Sequence, residues 1–152
     1  MTDEKLFKIP RSTLVVIHTA NLEVLLIERA DHPGYWQSVT GSQEENETLA
    51  ETAAREVMEE TGIDASRFTL CDWQQVNVYD IFPIWLHRYA PGTTTNTEHV
   101  FGLQLPDRLS VKLEVREHLQ YVWLSFENAA PLCFSRSNRD AILELPHRVA
   151  LP

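Results

Sequence analysis

The sequence predicts an α/β protein in which helices pack against a mixed β-sheet. Short apolar, β-branched runs recur along the chain at strand length, and two segments with helical apolar spacing lie among and after them. The chain has 152 residues, enough to bury a core, so a single domain spanning residues 1–152 is the simplest organisation.

The predicted strands are rich in Val, Ile, Leu and aromatic residues. The first two are separated by a short polar turn at Asn21, and the third follows the turn-forming sequence His32-Pro33-Gly34. Residues 90–92 and 96–97 predict a loop between two later strands, and the last strand ends in a turn near Ser125. The strands cover residues 12–20, 23–29, 36–39, 68–79, 99–105 and 117–124.

The first predicted helix begins with a capping box, Thr48 followed by Glu51, and ends at Gly62, a residue suited to a helix C-cap. A second helix is predicted near the end of the chain. Ser137 or Asn138 would cap it, residues 139–145 would form it, and Pro146 would stop it. The apolar face of the first helix consists of Leu49, Ala50, Ala53, Ala54 and Val57.

Charge and composition restrict the possible partners. Lys plus Arg total 13 against 22 Asp plus Glu, for a net charge of −9, which argues against a nucleic acid or an anionic membrane as partner. The apolar runs are too short to span a membrane, and the polar N-terminus does not resemble a secretory signal. The isolated Cys71 and Cys133 are typical of reduced thiols, so a cytoplasmic location is expected.

Residues 41–63 contain seven glutamates in an already acidic chain. Glu56, Glu59 and Glu60 have the spacing i, i+3, i+4 and would be neighbours on one side of the helix. At this spacing alone, a solvated helix face with Arg55 and Glu59 as a weak surface pair is the commoner outcome. The alternative is a divalent cation shared by the carboxylates, with Mg²⁺ and Mn²⁺ as the ions that prefer oxygen ligands.

The spacing of the whole segment favours the metal site. Gly41, Glu47, Arg55-Glu56, Glu59-Glu60 and Gly62 match the pattern G-x5-E-x7-R-E-U-x-E-E-x-G-U, with apolar residues at both U positions. Seven identical residues at set spacings arise by chance at about 10⁻⁸ per start position, if each residue type has roughly 7% usage. The chain thus resembles the Nudix hydrolases.

This resemblance implies a Nudix-type α/β/α sandwich with a mixed sheet, in which the loop and helix carry the metal site. It implies attack of a metal-activated water on a diphosphate linked to another group. Arg55 with Glu47 would hold the loop to the helix, and Gly41 would let its backbone approach the metal. Gln43 and Asn46 depart from the residues common at their positions, although Asn46 tolerates a positive φ angle.

Residues 32–42, 86–101, 117–124 and 135–142 resemble a narrower group, the dihydroneopterin triphosphate pyrophosphatases of folate synthesis. The resemblance implies release of pyrophosphate from 7,8-dihydroneopterin 3′-triphosphate, leaving the monophosphate. It implies Glu56, Glu60 and Glu117 as metal ligands, for Mg²⁺ or its substitute Mn²⁺. Glu59 would act beside Glu56 and Glu60 in catalysis, as a partial ligand or by orienting or deprotonating the water.

Several residues are candidates for substrate binding, each with a structural alternative. Arg29 could direct its guanidinium at phosphate oxygens or be a surface charge at a strand end. Lys8 could contact a phosphate as a point charge or lie on the surface. The segment 79–82 offers aromatic surface and a carboxylate suited to a pterin, or plain core packing. Thr40 and Ser135 would bond substrate or only shape their loops. The candidates are Lys8, Arg29, Thr40, Tyr79, Asp80, Ile81, Phe82 and Ser135.

Two alternative functions stay open at this point. A Nudix pyrophosphatase for dATP or dinucleoside polyphosphates is one, because Tyr79 lies about where the dinucleoside-polyphosphate group keeps a tyrosine. A non-catalytic Nudix-fold metabolite sensor is the other, although such modules usually lose residues of the pattern that this chain retains. The partner is expected to be a small-molecule triphosphate, and the chain a monomer or homodimer.

Overall fold

A computed structural model describes residues 6–149 of the chain. The predicted domain of residues 1–152 therefore extends beyond the described residues at both ends, and its extent stays a prediction. The seven strands are β1 (Arg11–Thr19), β2 (Glu23–Arg29), β3 (Trp36–Gln37), β4 (Val39–Ser42), β5 (Thr69–Asp80), β6 (Thr95–Leu105) and β7 (His118–Ser125). Within these described residues, the α-helices are α1 (Leu49–Thr61), α2 (Phe126–Ala129), α3 (Arg136–Leu143) and α4 (Leu145–Arg148), with 3-10 turns at Ala65–Arg67, Pro83–Arg88 and Ala130–Leu132.

The strands form one mixed sheet, as predicted. Its main path runs β3-β2-β1-β6-β5, with β4 also pairing with β1 and β7 with β2. β1 and β6 are parallel, and the other pairs are antiparallel. The parallel pair brings the start of β1 beside the start of β6, where both strands line the cavity of aromatic residues described below.

Helices cover both faces of this sheet. Because side chains alternate along a strand, neighbouring residues of β1 enter opposite cores. Val15 packs with Val57 of α1 in one buried cluster, whereas Leu14 packs with Ile142 of α3 in the other. The predicted α/β/α layering is confirmed.

The first helix forms as the capping signals predict. The Thr48 hydroxyl accepts a hydrogen bond from the Glu51 amide at 3.1 Å, and the Glu51 carboxylate accepts one from the Thr48 amide at 3.0 Å. Gly62 ends the helix in the left-handed conformation, with φ of 74°.

The prediction for the last helix was wrong in its bounds. Ser135, rather than Ser137 or Asn138, caps α3, because its hydroxyl accepts a hydrogen bond from the Asn138 amide at 3.4 Å. α3 ends at Leu143, and Pro146 lies in the first turn of the short helix α4 instead of stopping a helix. Proline fits there because the first-turn amides have no helical acceptor.

Two loop and strand assignments also differ from the prediction. Asn96 and Thr97 belong to β6 rather than to a loop, because Asn96 pairs with Tyr79 and Thr97 with Arg11. Glu117 lies in the turn just before β7 rather than within the strand. Pairing partners far along the chain decide the positions of Asn96 and Thr97. Within residues 6–149, the structure contains no helix long and apolar enough to cross a membrane.

Candidate active site

Arg55 connects the loop after β4 to helix α1. Its Nε donates to Glu47 Oε2 at 2.7 Å and its Nη2 to Glu47 Oε1 at 3.0 Å, and Nη2 also donates to the Ser42 carbonyl at 3.0 Å. Its Nη1 donates to Glu56 Oε1 at 2.8 Å. These contacts lower the pKa of Glu47 to about 2, with the Arg55 hydrogen bond as the main cause. The predicted tie between Arg55 and Glu47 is therefore present, and it also orients Glu56.

The loop itself is shaped by its unusual residues. Asn46 has a φ of 62°, the left-handed conformation that asparagine tolerates. The Gln43 side chain donates to the Glu47 carbonyl at 2.7 Å and accepts from Arg11 at 3.2 Å, which ties the loop to β1. A Cβ on Gly41 would overlap the Glu56 carboxyl group. Glycine at position 41 thus makes room for Glu56.

Carboxylates from α1 and from the turn before β7 converge on a small cavity of about 170 Å³. Glu56, Glu60, Glu117 and His118 line it together. Glu60 is 3% exposed, and its Oε2 has no hydrogen-bond partner in the described part of the chain. Burial first, and then the neighbouring Glu56 and Glu117 charges, raise the pKa of Glu60 well above its usual range.

His118 lies against this cluster from β7. Its Nε2 is 3.3 Å from Glu60 Oε1. Burial, and then the charge of Arg29, lower the pKa of His118 to about 4. The imidazole is therefore neutral at pH 7, so its Nε2–H can donate to Glu60 and hold that carboxylate in place.

The donor set fits a divalent cation. Glu60, Glu117 and His118 offer ligand atoms that all lie within 4.8 Å of one another, and Glu56 lines the same cavity. The unpartnered oxygen of Glu60 could ligate a cation, which would offset the repulsion that raises the Glu60 pKa. Oxygen donors predominate, which suits a hard ion.

Glu59 lies apart from this cluster. Its side chain is 56% exposed, and its Oε2 accepts from Arg55 Nη1 at 3.3 Å. The described lining of the carboxylate cavity includes Glu56 and Glu60 but not Glu59. The structure thus brings Glu56, Glu60 and Glu117 together, while a catalytic role for Glu59 stays a prediction.

A second cavity, of about 360 Å³, lies between the sheet and the start of α3. Its aromatic wall comes from two segments: Phe82 is 5.3 Å from Trp85 and 5.6 Å from Phe134 between ring centroids. Tyr35 stacks on Phe134 at 4.5 Å but is not part of the described lining. All eight predicted substrate-binding residues line this cavity: Lys8, Arg29, Thr40, Tyr79, Asp80, Ile81, Phe82 and Ser135.

The two cavities share a rim. Lys8, Arg29, Gln37, Thr40 and Arg88 line both of them. The rim therefore places three cationic side chains between the aromatic wall and the carboxylate cluster.

Asp31 holds two of these cations in place. Arg29 donates two hydrogen bonds to the Asp31 carboxylate, each at 2.7 Å, and Arg88 donates one at 3.1 Å. The Trp85 indole donates to the same carboxylate at 3.0 Å, and the Arg29 guanidinium lies 4.4 Å from the Trp85 ring centroid. The Arg29 hydrogen bonds are the main cause that lowers the pKa of Asp31.

Sequence reasoning missed several of these residues. Asp31 follows Arg29 by two positions just after a strand, a spacing that could have indicated the pair. Trp85, Arg88 and Phe134 carry no such signal, because the folded chain alone brings them to residues 50 or more positions away.

The comparisons with known proteins agree with this geometry. A family model described as the NUDIX domain matches residues 8–145. The chain therefore belongs to the Nudix family, and the predicted family and fold are confirmed.

The relatives define a narrower similarity. The chain is 48% identical over 142 residues to the dihydroneopterin triphosphate diphosphatase of Escherichia coli K12, covering 91% of this chain and 93% of that one. It is 37% identical to the enzyme of that name from Haemophilus influenzae, covering 90% and 87%. The solved structure of the E. coli dihydroneopterin triphosphate pyrophosphohydrolase matches with a TM-score of 0.88 and 46% identity, covering 95% of this chain and 99% of that one. The predicted resemblance to this group of Nudix hydrolases is confirmed.

Proposed function

We propose that this chain hydrolyses 7,8-dihydroneopterin 3′-triphosphate to dihydroneopterin monophosphate and pyrophosphate, as a step of folate biosynthesis. The main support for this proposal is the rim that the two cavities share, with its three cationic side chains. It joins a flat aromatic cavity, sized for one heterocycle, to a carboxylate cavity suited to a metal-bound polyphosphate. The names of the similar E. coli and H. influenzae proteins support the same substrate.

The triphosphate would lie along the rim. Arg29 can direct its guanidinium at phosphate oxygens because Asp31 fixes its position through two hydrogen bonds. Lys8 adds a second positive charge, and its amide donates to the Arg88 carbonyl at 2.9 Å, which ties the chain entering β1 to the 3-10 turn Pro83–Arg88. Thr40 lies on both cavity linings, where its hydroxyl donates to the Thr13 carbonyl at 3.0 Å.

Glu56, Glu60 and Glu117 would hold the divalent cation, with Mg²⁺ as the proposed ion and Mn²⁺ as a substitute. When bound, such an ion lowers the pKa of a coordinated water and offsets charge on the phosphoryl oxygens. Arg55 keeps Glu56 oriented toward the cavity, and the neutral His118 does the same for Glu60.

Glu59 is proposed to orient the attacking water or to accept its proton. Its support is its position three residues after Glu56 on α1 and its bond to Arg55, which also binds Glu56. Its side chain is exposed, so water can reach its carboxylate.

The aromatic cavity would hold the pterin ring. Phe82, Trp85 and Phe134 form a wall on which a flat ring can pack, and Ile81 closes another side. Tyr79, Asp80 and Ser135 supply polar atoms around it.

A side-by-side assay tests the proposal. Pyrophosphate release would be followed for dihydroneopterin triphosphate and dATP with Mg²⁺ and with excess chelator. We expect a large preference in kcat/KM for the pterin and loss of activity in chelator that Mg²⁺ restores. An equal or reversed preference would assign the chain to nucleotides, and undiminished turnover in chelator would contradict the metal site.

A further inference from the structure

Polar side chains form the floor, or bottom, of the aromatic cavity, although the apolar core lies beside it and apolar side chains would be expected there. Glu98 on β6 pairs in register with Ser12 on β1 and with Asn77 on β5. Residues that pair across adjacent strands point to the same face of a sheet. Three polar side chains therefore lie side by side beneath the N-terminus of α3, and Ser12 and Glu98 line the cavity.

Glu98 is an unusual residue for such a place. It is 3% exposed, and no lysine or arginine of residues 6–149 contributes a charge that lowers its pKa. Burial raises the pKa of Glu98, while hydrogen bonds from Ser137 and Asn77 lower it, with Asn77 Nδ2 at 3.3 Å from Oε1. A buried carboxylate is costly unless donors satisfy it, and its two oxygens can accept about four hydrogen bonds. Glu98 thus retains capacity for donors from a ligand.

Neighbouring side chains hold this floor in one arrangement. Asn96 is 1% exposed, and its Nδ2 donates to Ser12 Oγ at 2.7 Å and to the Tyr79 hydroxyl oxygen at 3.0 Å. Burial, and then the charge of Glu98, raise the pKa of Tyr79 to about 12, so its phenol stays protonated. Asn77 and Ser137 bond Glu98 itself, while the Asn96 bonds hold Ser12 and Tyr79 in place beside it.

The edges of possible heterocycles differ in what they offer a carboxylate. A pterin presents N3–H and a 2-amino group side by side, and guanine presents N1–H and a 2-amino group in the same way. Two adjacent donors match the two oxygens of a carboxylate, as the guanidinium of arginine does. Adenine instead presents a ring nitrogen that accepts beside an amino group that donates.

We propose that Glu98 is the specificity-determining residue of the cavity, accepting hydrogen bonds from the adjacent ring N–H and amino donors of the pterin. This inference rests on the proposed function and names the atoms that select its substrate. Adenine would place a lone pair against the carboxylate, so the same contact rejects adenine nucleotides.

Glu98 is better placed for this selection than the predicted candidate Asp80. These two residues are the carboxylates in the described lining of the aromatic cavity. Asp80 is exposed, where water competes for its hydrogen bonds, whereas Glu98 is buried. A heterocycle whose hydrogen-bonding edge does not match leaves a buried polar group of the site unpaired. The free-energy cost of that unpaired group is what lets the site discriminate between substrates.

The substitution Glu98→Gln tests the proposal because glutamine offers one acceptor and one donor, which suit the adenine edge. We would measure kcat/KM for dihydroneopterin triphosphate, dGTP and dATP. We expect the ratio of kcat/KM for the pterin to kcat/KM for dATP to fall about 10- to 100-fold, which is the discrimination that one bidentate contact provides. The kcat/KM for dGTP should change in the same direction as that for the pterin. The exposed Glu127→Gln variant loses the same charge and should keep the wild-type ratio. A Glu98→Gln ratio within about twofold of wild type would overturn the inference.

A binding measurement separates this inference from the proposed function. Calorimetric affinities for dihydroneopterin monophosphate and dAMP in chelator require no turnover. If the wild type hydrolyses neither triphosphate but Glu98→Gln still reverses the binding preference, the proposed function fails and the inference stands. If turnover is normal and both preferences are unchanged, the inference fails alone.

Thermal melting would check that Glu98→Gln folds. If it does not, Asn77→Ala removes one donor to Glu98 at a half-buried position and serves as the second variant. The loss of one neutral donor should lower the pterin-to-dATP ratio by roughly 2- to 10-fold. An unchanged ratio in a folded Asn77→Ala protein would then contradict the role of Glu98.

Discussion

The carboxylate cavity and the aromatic cavity share a rim but are built in different ways. Glu56 and Glu60 come from one helix, and Glu47 and Arg55, which support them, come from the same segment of residues 41–63. The aromatic cavity takes its walls from β1, β5, β6, the 3-10 turn Pro83–Arg88 and α3. Apart from Glu117 and His118, the part proposed for chemistry is thus local in sequence, whereas the part proposed for selection is assembled from distant segments. Substitutions in the two cavities should therefore separate turnover from substrate choice.

Glu60→Gln should have the largest effect. It removes one charge from the cation site, so we expect kcat to fall on the order of 10³-fold with little change in pterin-to-dATP preference, because metal chemistry is worth several kcal/mol. Steady-state kinetics over a range of Mg²⁺ concentrations would measure this. Glu45→Gln, an exposed change in the same loop, should behave as wild type. Full activity of Glu60→Gln at low Mg²⁺ would contradict the assigned ligand.

Asp31→Asn should affect the rim that joins the two cavities. The carboxylate accepts four hydrogen bonds from Arg29, Arg88 and Trp85, and a neutral amide cannot replace them. We expect kcat/KM to fall about 10- to 100-fold for both pterin and adenine triphosphates, since bonds to charged groups contribute about 1.5–3 kcal/mol. The exposed Asp107→Asn is the control. A change confined to one of the two substrates would show that Asp31 does not act through the phosphate rim.

Phe134→Ala should act on the aromatic cavity alone. Phe134 contacts Tyr35, Phe82 and Trp85, so its removal opens the wall proposed to pack on the pterin. We expect KM for the pterin substrate to rise about 10-fold at nearly unchanged kcat, because stacking on one aromatic side chain is worth about 1–3 kcal/mol. Leu132→Ala, a half-exposed change nearby, should leave KM unchanged. A fall in kcat with constant KM would place Phe134 in the chemistry instead.

Thr48→Ala should have the smallest effect, and on stability only. It deletes the hydroxyl that caps α1, and loss of such a cap costs about 1 kcal/mol. Chemical denaturation should show this decrease in the free energy of unfolding, while kcat/KM stays within twofold of wild type at 25 °C. Ser110→Ala, at an exposed loop position, should change neither quantity. A large loss of activity would mean that α1 needs its cap to position Glu56 and Glu60.

The sequence predicted most of the strands, the first helix with both caps, and the family. It failed where distant pairing decides structure. The sequence predicts a loop at Asn96 and Thr97, but their pairing with β5 and β1 places both residues in β6. It failed again at the last helix, which Ser135 caps instead of the predicted Ser137 or Asn138. The contact between α3 and the sheet decides which residue caps the helix, because the Asn138 side chain donates to the Ser38 hydroxyl at 3.0 Å.

The sequence by itself determined the carboxylate cluster of α1 and its support by Arg55, because helical periodicity and short loop spacing fix which side chains meet. Only the resemblance to a known family predicts that Glu117 belongs to that cluster. The tertiary structure alone decided that Asp31 also binds Arg88 and Trp85, and that Glu98 lies at the bottom of the aromatic cavity. Those contacts depend on strand register and on loops that meet across the fold, and no local pattern in a sequence encodes them.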